Sequence, residues 1–371
     1  MDDRARFSRR NFLELSGFLA GGALLAACSS SGSGNGAGSG TDATASAAST
    51  SAVETTDDLI AASKKEGGEV LWYIPGSADL GTALQKGFQA AYPWTKVTAQ
   101  AVDFSALPGK LTTEAVTGAA TADVFMLPNA FRQQMLSNNV PASVNLSTDA
   151  ALGDLVDPGG YGHPCYILLI GIEYNTKLLK SGPPKAQQMS DPAWQGKIAF
   201  DRVQNLGQST LWLSSWRSQW GDSAWQKWLD GLKANQILLT ATGGDTYSTV
   251  LSGEREFGIG ASNDISGQKA GTPMAMDYSY SPVPFIQNLW LTKNASHPAT
   301  GKLFMTWVTS AAGQQAVAST ARTPALQTVK SPVAASSLLP AGVTLLAGSK
   351  TQDFYNNASQ YLSILEERWP S

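Results

Sequence analysis

Between Glu69 and Pro128 the apolar positions follow two alternating periods. EVLWYIP, from Glu69, is a near-continuous apolar run and reads as a buried strand. GTALQKGFQAAYP carries Leu84, Phe88 and Ala91 on one helical stripe that ends near Pro93. KVTAQAV alternates like a strand, LPGKLTTEAVTG reads as a helix stopped by Gly118, and ADVFMLP is a third strand. Strand, helix, strand, helix, strand predicts an α/β fold with a mainly parallel sheet. Ligands of such sheets sit outside the carboxyl ends of the strands. Here those ends are YIPGSAD, with Tyr73 and Ser77, and LPNA, with Asn129.

The pattern restarts after PGGYGHPCYILLIGIEYN, where Tyr166 to Ile172 reads as another buried strand. NLGQSTLWLSSW reads as a helix, with Trp212, Trp216 and Trp220 four residues apart on one face, a core pattern rather than a ligand platform. GEREFGIGASND supplies a strand and loop, PVPFIQNLWLT a return crossing, and HPATGKLFMTWVTSAAGQQAVA a helix pair or one long helix. Residues 57–160 are therefore expected to form a first lobe, 161–275 a second and 276–325 a return to the first; 326–371 reads as helical, its lobe open. Hinges are expected near 160–172 and 275–290.

The N-terminus changes the picture. Arg9 and Arg10 precede an apolar run from Leu15 to Ala27, shorter than the about 20 residues a spanning helix needs. A basic start, a short apolar middle and small residues at its end are the layout of an export signal, residues 1–27. SRRNFL resembles the twin-arginine signal, with Glu14 as a departure, and LAAC (Leu25 to Cys28) resembles the lipobox of bacterial lipoproteins, which implies lipid on Cys28. The alternative is an ordinary cleaved signal with an incidental cysteine. Residues 28–56 carry almost no large apolar side chain and read as a tether. Cys28 and Cys165 are the only cysteines, so a disulfide framework is excluded. The formal net charge of −3 leaves no basic footprint for nucleic acid.

VLWYIPGSADLGTALQKGFQAAYPWTKV, IEYNTKLLKSGPPKAQQMSDPAWQGKIAF, GEREFGIG and NASHPATGKLFMTWVTSAAGQQAVA, in that order, resemble extracellular solute-binding proteins of ABC importers, in the branch that includes ferric-ion-binding proteins. The resemblance implies the two-lobed, type II periplasmic-binding-protein-like α/β fold, each lobe a mainly parallel sheet flanked by helices. It implies a small solute held between the lobes, delivery to an ABC permease, no catalysis and no cofactor. A monomer anchored through Cys28 is the expected form. Rival readings are a ferric-iron-binding importer component and a secreted enzyme or signalling lipoprotein on the same fold. No G-x-S-x-G, H-E-x-x-H or Walker-type motif is present.

Candidate ligand contacts are Tyr73, Ser77, Asn129, Gln208, Ser209, Thr210, Asn263 and Asp264. Gln208, Ser209 and Thr210 precede an apolar helical stripe, a start that suits an anionic group or an ordinary cap. The resemblance implies ligand contacts there and after the first strand. Iron-binding relatives carry adjacent tyrosines at the loop where this chain has Ser262, Asn263 and Asp264, which argues against iron. Tyr278 and Tyr280 alternate as hinge or wall residues. His163 and His297 lack metal spacing, His163 lies beside Pro164 near the supposed crossing with a ligand role as the lesser reading, and Cys165 reads as a small buried residue. A small polar or anionic solute is expected.

Overall fold

The computed structural model describes residues 53–119, 121–266, 268–279, 284–330 and 356–370. The expected export signal, Cys28, nearly all of the expected tether, Tyr280, and residues 331–355 of the expected C-terminal helical segment lie outside the described residues. The folded part begins with helix α1 (Thr56–Lys65), closed at its start by reciprocal bonds between Thr55 and Asp58. Strand β1 (Glu69–Pro75), α2 (Ala78–Ala91), β2 (Lys96–Val102), α3 (Leu107–Thr117) and β3 (Val124–Pro128) follow as the periodicity predicts. Gly118 ends α3 at φ 67°, a left-handed conformation that costs glycine little.

β1 shows how the sequence positions this lobe. Successive side chains point to opposite faces. Val70, Trp72 and Ile74 enter the main core, with Leu84 and Phe88 of α2. Tyr73 points the other way, into a smaller cluster with Leu107 and Leu111 of α3. Two short helices, α4 (Arg132–Ser137) and α5 (Asp149–Leu152), lead to β4 (Gly162–Leu168).

The run from Tyr166 to Ile172 is not one strand. β4 ends at Leu168 and β5 (Ile170–Asn175) belongs to a different sheet. Leu169, between them, gives both backbone groups to Ser262: its N–H donates to Ser262 Oγ at 3.2 Å, and its carbonyl accepts from Ser262 N–H at 2.9 Å. Those groups are spent on a distant loop instead of a ladder.

The second lobe continues with β6 (Ile198–Asp201), α6 (Gln208–Ser215), α7 (Arg217–Trp220), α8 (Asp222–Ala234), β7 (Leu238–Thr240), α9 (Gly243–Ser252), β8 (Phe257–Ala261), α10 (Ser262–Ser266) and β9 (Met274–Asp277). Trp216 stacks on Trp220 at 4.7 Å between ring centres and meets Trp212 at 5.4 Å, so the tryptophan stripe packs the core. β10 (Phe285–Leu291), α11 (Pro298–Thr309), α12 (Ala311–Ala318) and β11 (Thr323–Pro324) return to the first lobe. Of the helix pair or single long helix expected here, the structure has the pair, broken at Ser310, whose hydroxyl caps α12 at Gly313 N–H. α13 (Ala358–Glu366) packs on the second lobe, with Tyr361 against Trp225 and, just beyond the helix, Trp369 against Phe200.

One sheet runs β11-β4-β10-β3-β1-β2 and the other β7-β6-β8-β5-β9. β1, β2 and β3 are parallel, as are β6, β7 and β8; the crossing strands β4, β5, β9 and β10 pair antiparallel. Among the described strands the chain passes between the sheets at Leu169 and between β9 and β10, and after β11 it reaches the second lobe again at α13.

Phe304 of α11 lies 5.3 Å from the Trp72 ring and 5.2 Å from Phe88, fully buried. Phe304→Ala should cost about 3–5 kcal/mol through lost burial and the cavity left behind. Urea unfolding monitored by tryptophan fluorescence checks this; a loss below about 1 kcal/mol would show that the first-lobe core does not depend on this ring.

Candidate functional site

The site is built where the strand ends of the second lobe face the crossing strands. β6 ends at Asp201, and α6 begins seven residues later. Gly207 precedes α6 and brings no capping side chain. The Asp201 carboxylate serves instead, accepting from Ser209 N–H at 3.0 Å. A Cβ on Gly207 would collide with that carboxylate, so glycine there allows the close approach. The α9 start is closed by Thr242 and Asp245 in a capping box.

A cavity of about 200 Å³ opens at this point. The first lobe contributes Phe104, from the loop after β2. The crossing strands contribute Leu168 of β4 and Phe285 and Gln287 of β10. The second lobe contributes Asp201, Asn205, Gly207, Gln208, Thr242 and Gly243. Gln287 is 6% exposed, and its Oε1 has no hydrogen-bond partner. Apolar walls with a few convergent polar groups suit a small-molecule site.

The sequence-predicted contacts are dispersed around this cavity. Gln208 lines it, with Nε2 donating to the Ile259 carbonyl at 3.0 Å. Ser209 and Thr210 are buried behind it, the Thr210 hydroxyl donating to the Val203 carbonyl at 2.8 Å. The helix start expected to receive an anionic group already holds one, the Asp201 carboxylate. Tyr73 lies under α3, its hydroxyl donating to Glu114 at 3.2 Å beneath the Lys110 ammonium. Ser77 is half-buried at the start of α2. Asn129 accepts from Asn288 at 2.6 Å. None of these three lines the cavity. Asn263 is exposed in α10. Asp264 accepts from Ala261 N–H at 2.9 Å.

His163 is fully buried and paired through Nδ1 with Asp149 at 2.8 Å, away from the cavity lining. Cys165 is buried, and burial pushes its thiol up to about 12. Tyr278 is buried with its hydroxyl unpartnered. Among the described residues no cluster of His, Cys, Asp and Glu has the geometry to hold a metal ion, and no helix is long and apolar enough to cross a membrane.

Three acids gather at the cavity's inner end. Burial pushes the Asp201 carboxyl up to about 6 despite the hydrogen bond from Ser209 N–H. Burial likewise raises Asp264 to about 6, helped by the neighbouring Asp201 charge. Glu173 of β5 is fully buried, and neither carboxylate oxygen has a partner. Burial first, then repulsion from Asp264 and Asp201, holds it well above the usual carboxylate range. Its carboxylate lies over Gly260, where any Cβ would collide with it. Ala199 pairs with Gly258 across β6 and β8, so Asp201 and Gly260 lie two residues further along their parallel strands.

The profile of the bacterial extracellular solute-binding proteins matches residues 75–315. The chain belongs to that family and is a solute-binding protein of the ABC-importer class. No curated protein sequence matches it. Among solved structures it is similar to iron-bound HitA from Pseudomonas aeruginosa, at 19% identity and TM-score 0.67, over 81% of this chain and 99% of that one. It is similar to AfuA from Actinobacillus pleuropneumoniae with fructose-6-phosphate, at 18% identity and TM-score 0.66, over 81% and 97%. Trichodesmium IdiA (FutA) with iron and citrate matches at 17% identity and TM-score 0.66, over 81% and 99%. At these identities the likeness establishes the two-lobed fold.

The raised carboxyls set a pH dependence. Folded Asp201 and Asp264 keep their protons up to about 6, whereas their ordinary value is 3.8. Between those values the folded chain binds more protons than the unfolded one, so these groups lower stability as pH rises. Solute-free protein should therefore melt several degrees higher at pH 5 than at pH 7. Asp79 and Asp103, held below the usual range, oppose this only in more acid solution. Calorimetry checks it; a melting temperature that falls steadily from pH 7 to pH 5 contradicts the assignment, and Asp201→Asn should flatten the rise.

Proposed function

We propose that this chain captures a small polar solute between its lobes and hands it to an ABC permease, working outside the cytoplasm on a lipid anchor at Cys28. The observation that carries the reading is the cavity shared by Phe104, by the crossing strands at Leu168, Phe285 and Gln287, and by the second lobe at Asp201 and Gln208. A solute there touches every part that moves when two lobes close about a pair of crossings, so its binding energy favours the closed form. The family match supports solute capture and export; LAAC followed by a Ser/Gly-rich tether supports the anchor. The anionic half of the sequence expectation finds less support than the polar half, because Asp201 occupies the helix start. The ferric reading draws on the fold of HitA and FutA, while this chain has Ser262, Asn263 and Asp264 where the resemblance places tyrosines.

Native mass spectrometry of protein purified from its own host should reveal a bound small molecule. Adding that molecule back to stripped protein at a hundred times its dissociation constant should stabilise it by about 2.7 kcal/mol. Small-angle scattering should show compaction, and an unchanged radius at saturation would refute lobe closure. Separately, Cys28→Ala should release the protein from the membrane fraction. Membrane partitioning equal to wild type would refute the anchor.

A further inference from the structure

The cavity and the strand ends behind it present acceptors and negative charge. Asp201 lines the cavity with one oxygen given to Ser209. Gln287, whose Oε1 has no partner among the described residues, lines the same cavity from β10. Glu173, also without a partner, leans over Gly260 toward Asp201 and Asp264. The buried Tyr278 hydroxyl, without a partner among the described residues, lies in the field of Asp264 and Glu173. Among the described residues no Lys, Arg or His forms an ion pair with Asp201, Glu173 or Asp264. Arg202, next in the chain to Asp201, is exposed and outside the cavity lining.

Buried carboxylates without a counter-ion are costly, and bringing a cation to them relieves the cost. The carboxylates do not form a metal cage. The wall adds two phenylalanines, Phe104 and Phe285, which suit the carbon body of an organic ion and attract its charge through their π-faces. Two helix starts line the cavity: an anionic solute would meet the Asp201 carboxylate at the α6 start, and the α9 start at Thr242 and Gly243 is already closed by the Thr242–Asp245 capping box.

We infer that the solute is an organic cation whose ammonium group sits in the cavity between the Asp201 carboxylate and Gln287 Oε1, its carbon chain against Phe104 and Phe285. Asp264 lies behind and adds field, and Glu173 behind it adds polarity, neither in direct contact. This deepens the solute-binding reading and rests on it.

The test is a thermal-shift and calorimetric panel on purified, solute-stripped mature protein. The cationic probes are 1,4-diaminobutane, agmatine and choline; the others are succinate, fructose 6-phosphate and ferric citrate. At least one cation should bind saturably and the anions should not. Asp201→Asn keeps an oxygen for Ser209 N–H and should lower affinity for that cation about ten- to a hundredfold, the loss expected for a charged hydrogen bond. Glu173→Gln should lower it less while raising the melting temperature of the stripped protein. Binding of fructose 6-phosphate or ferric citrate with no cation bound would overturn the cation and leave the solute-binding reading standing. A folded Asp201→Asn variant that binds the cation as tightly as wild type would overturn the site. Silence from all three cations would also overturn it; the broader reading fails separately, if host-purified protein carries no solute and its radius never changes.

Discussion

Two strand pairs that share no sheet hold the molecule's form. β10 lies between β4 and β3 in the first sheet, and β5 between β9 and β8 in the second. The chain must leave one sheet and enter the other at Leu169, and return after β9. Ser262 takes both backbone groups of Leu169, so the first crossing is pinned by hydrogen bonds to a single residue. The cavity lies beside these crossings because Leu168, Phe285 and Gln287 belong to the crossing strands themselves. The cavity and the lobe geometry are thus properties of the same few residues.

The second constraint is charge. The strand ends Asp201 and Ala261 bring carboxylates together because each must satisfy backbone N–H groups there: Asp201 holds Ser209, and Asp264 holds Ala261. Those local bonds favour ionised acids. Burial of the same groups disfavours them, and for both aspartates burial wins. Glu173 has no such local bond, and its cost is not offset within the described residues. Residues kept at a cost to stability are the ones a binding site requires.

Much of this was legible in the sequence, and the reasons differ by residue. β1, α2 and α3 followed directly from period, because Trp72, Leu84 and Leu111 each bury one face of a regular element. The break at Leu169 could not be read locally, since its partner Ser262 is 93 residues away. Gln208 was found because a helix start after a strand is a local signal. Asp201 carries the same signal, the end of a parallel strand, and was passed over for the hydroxyls beyond it. Tyr73 was drawn to the cleft by its place near a strand end, but strand alternation turns it under α3, toward Glu114. Phe104 and Phe285 gave no sign, because their role exists only once two lobes face each other.

Cys165 acquires a meaning from the compartment in which the family works. Outside the cytoplasm thiols meet oxidants, and the species that reacts is the thiolate. Cys165 is shut within β4, and its proton is held up to about 12, so almost no thiolate forms at neutral pH. The sulfur therefore behaves as a small packing group. This thiol needs no reducing system once the protein is folded, and its exposure to oxidants is confined to the interval between emerging unfolded and closing the first sheet.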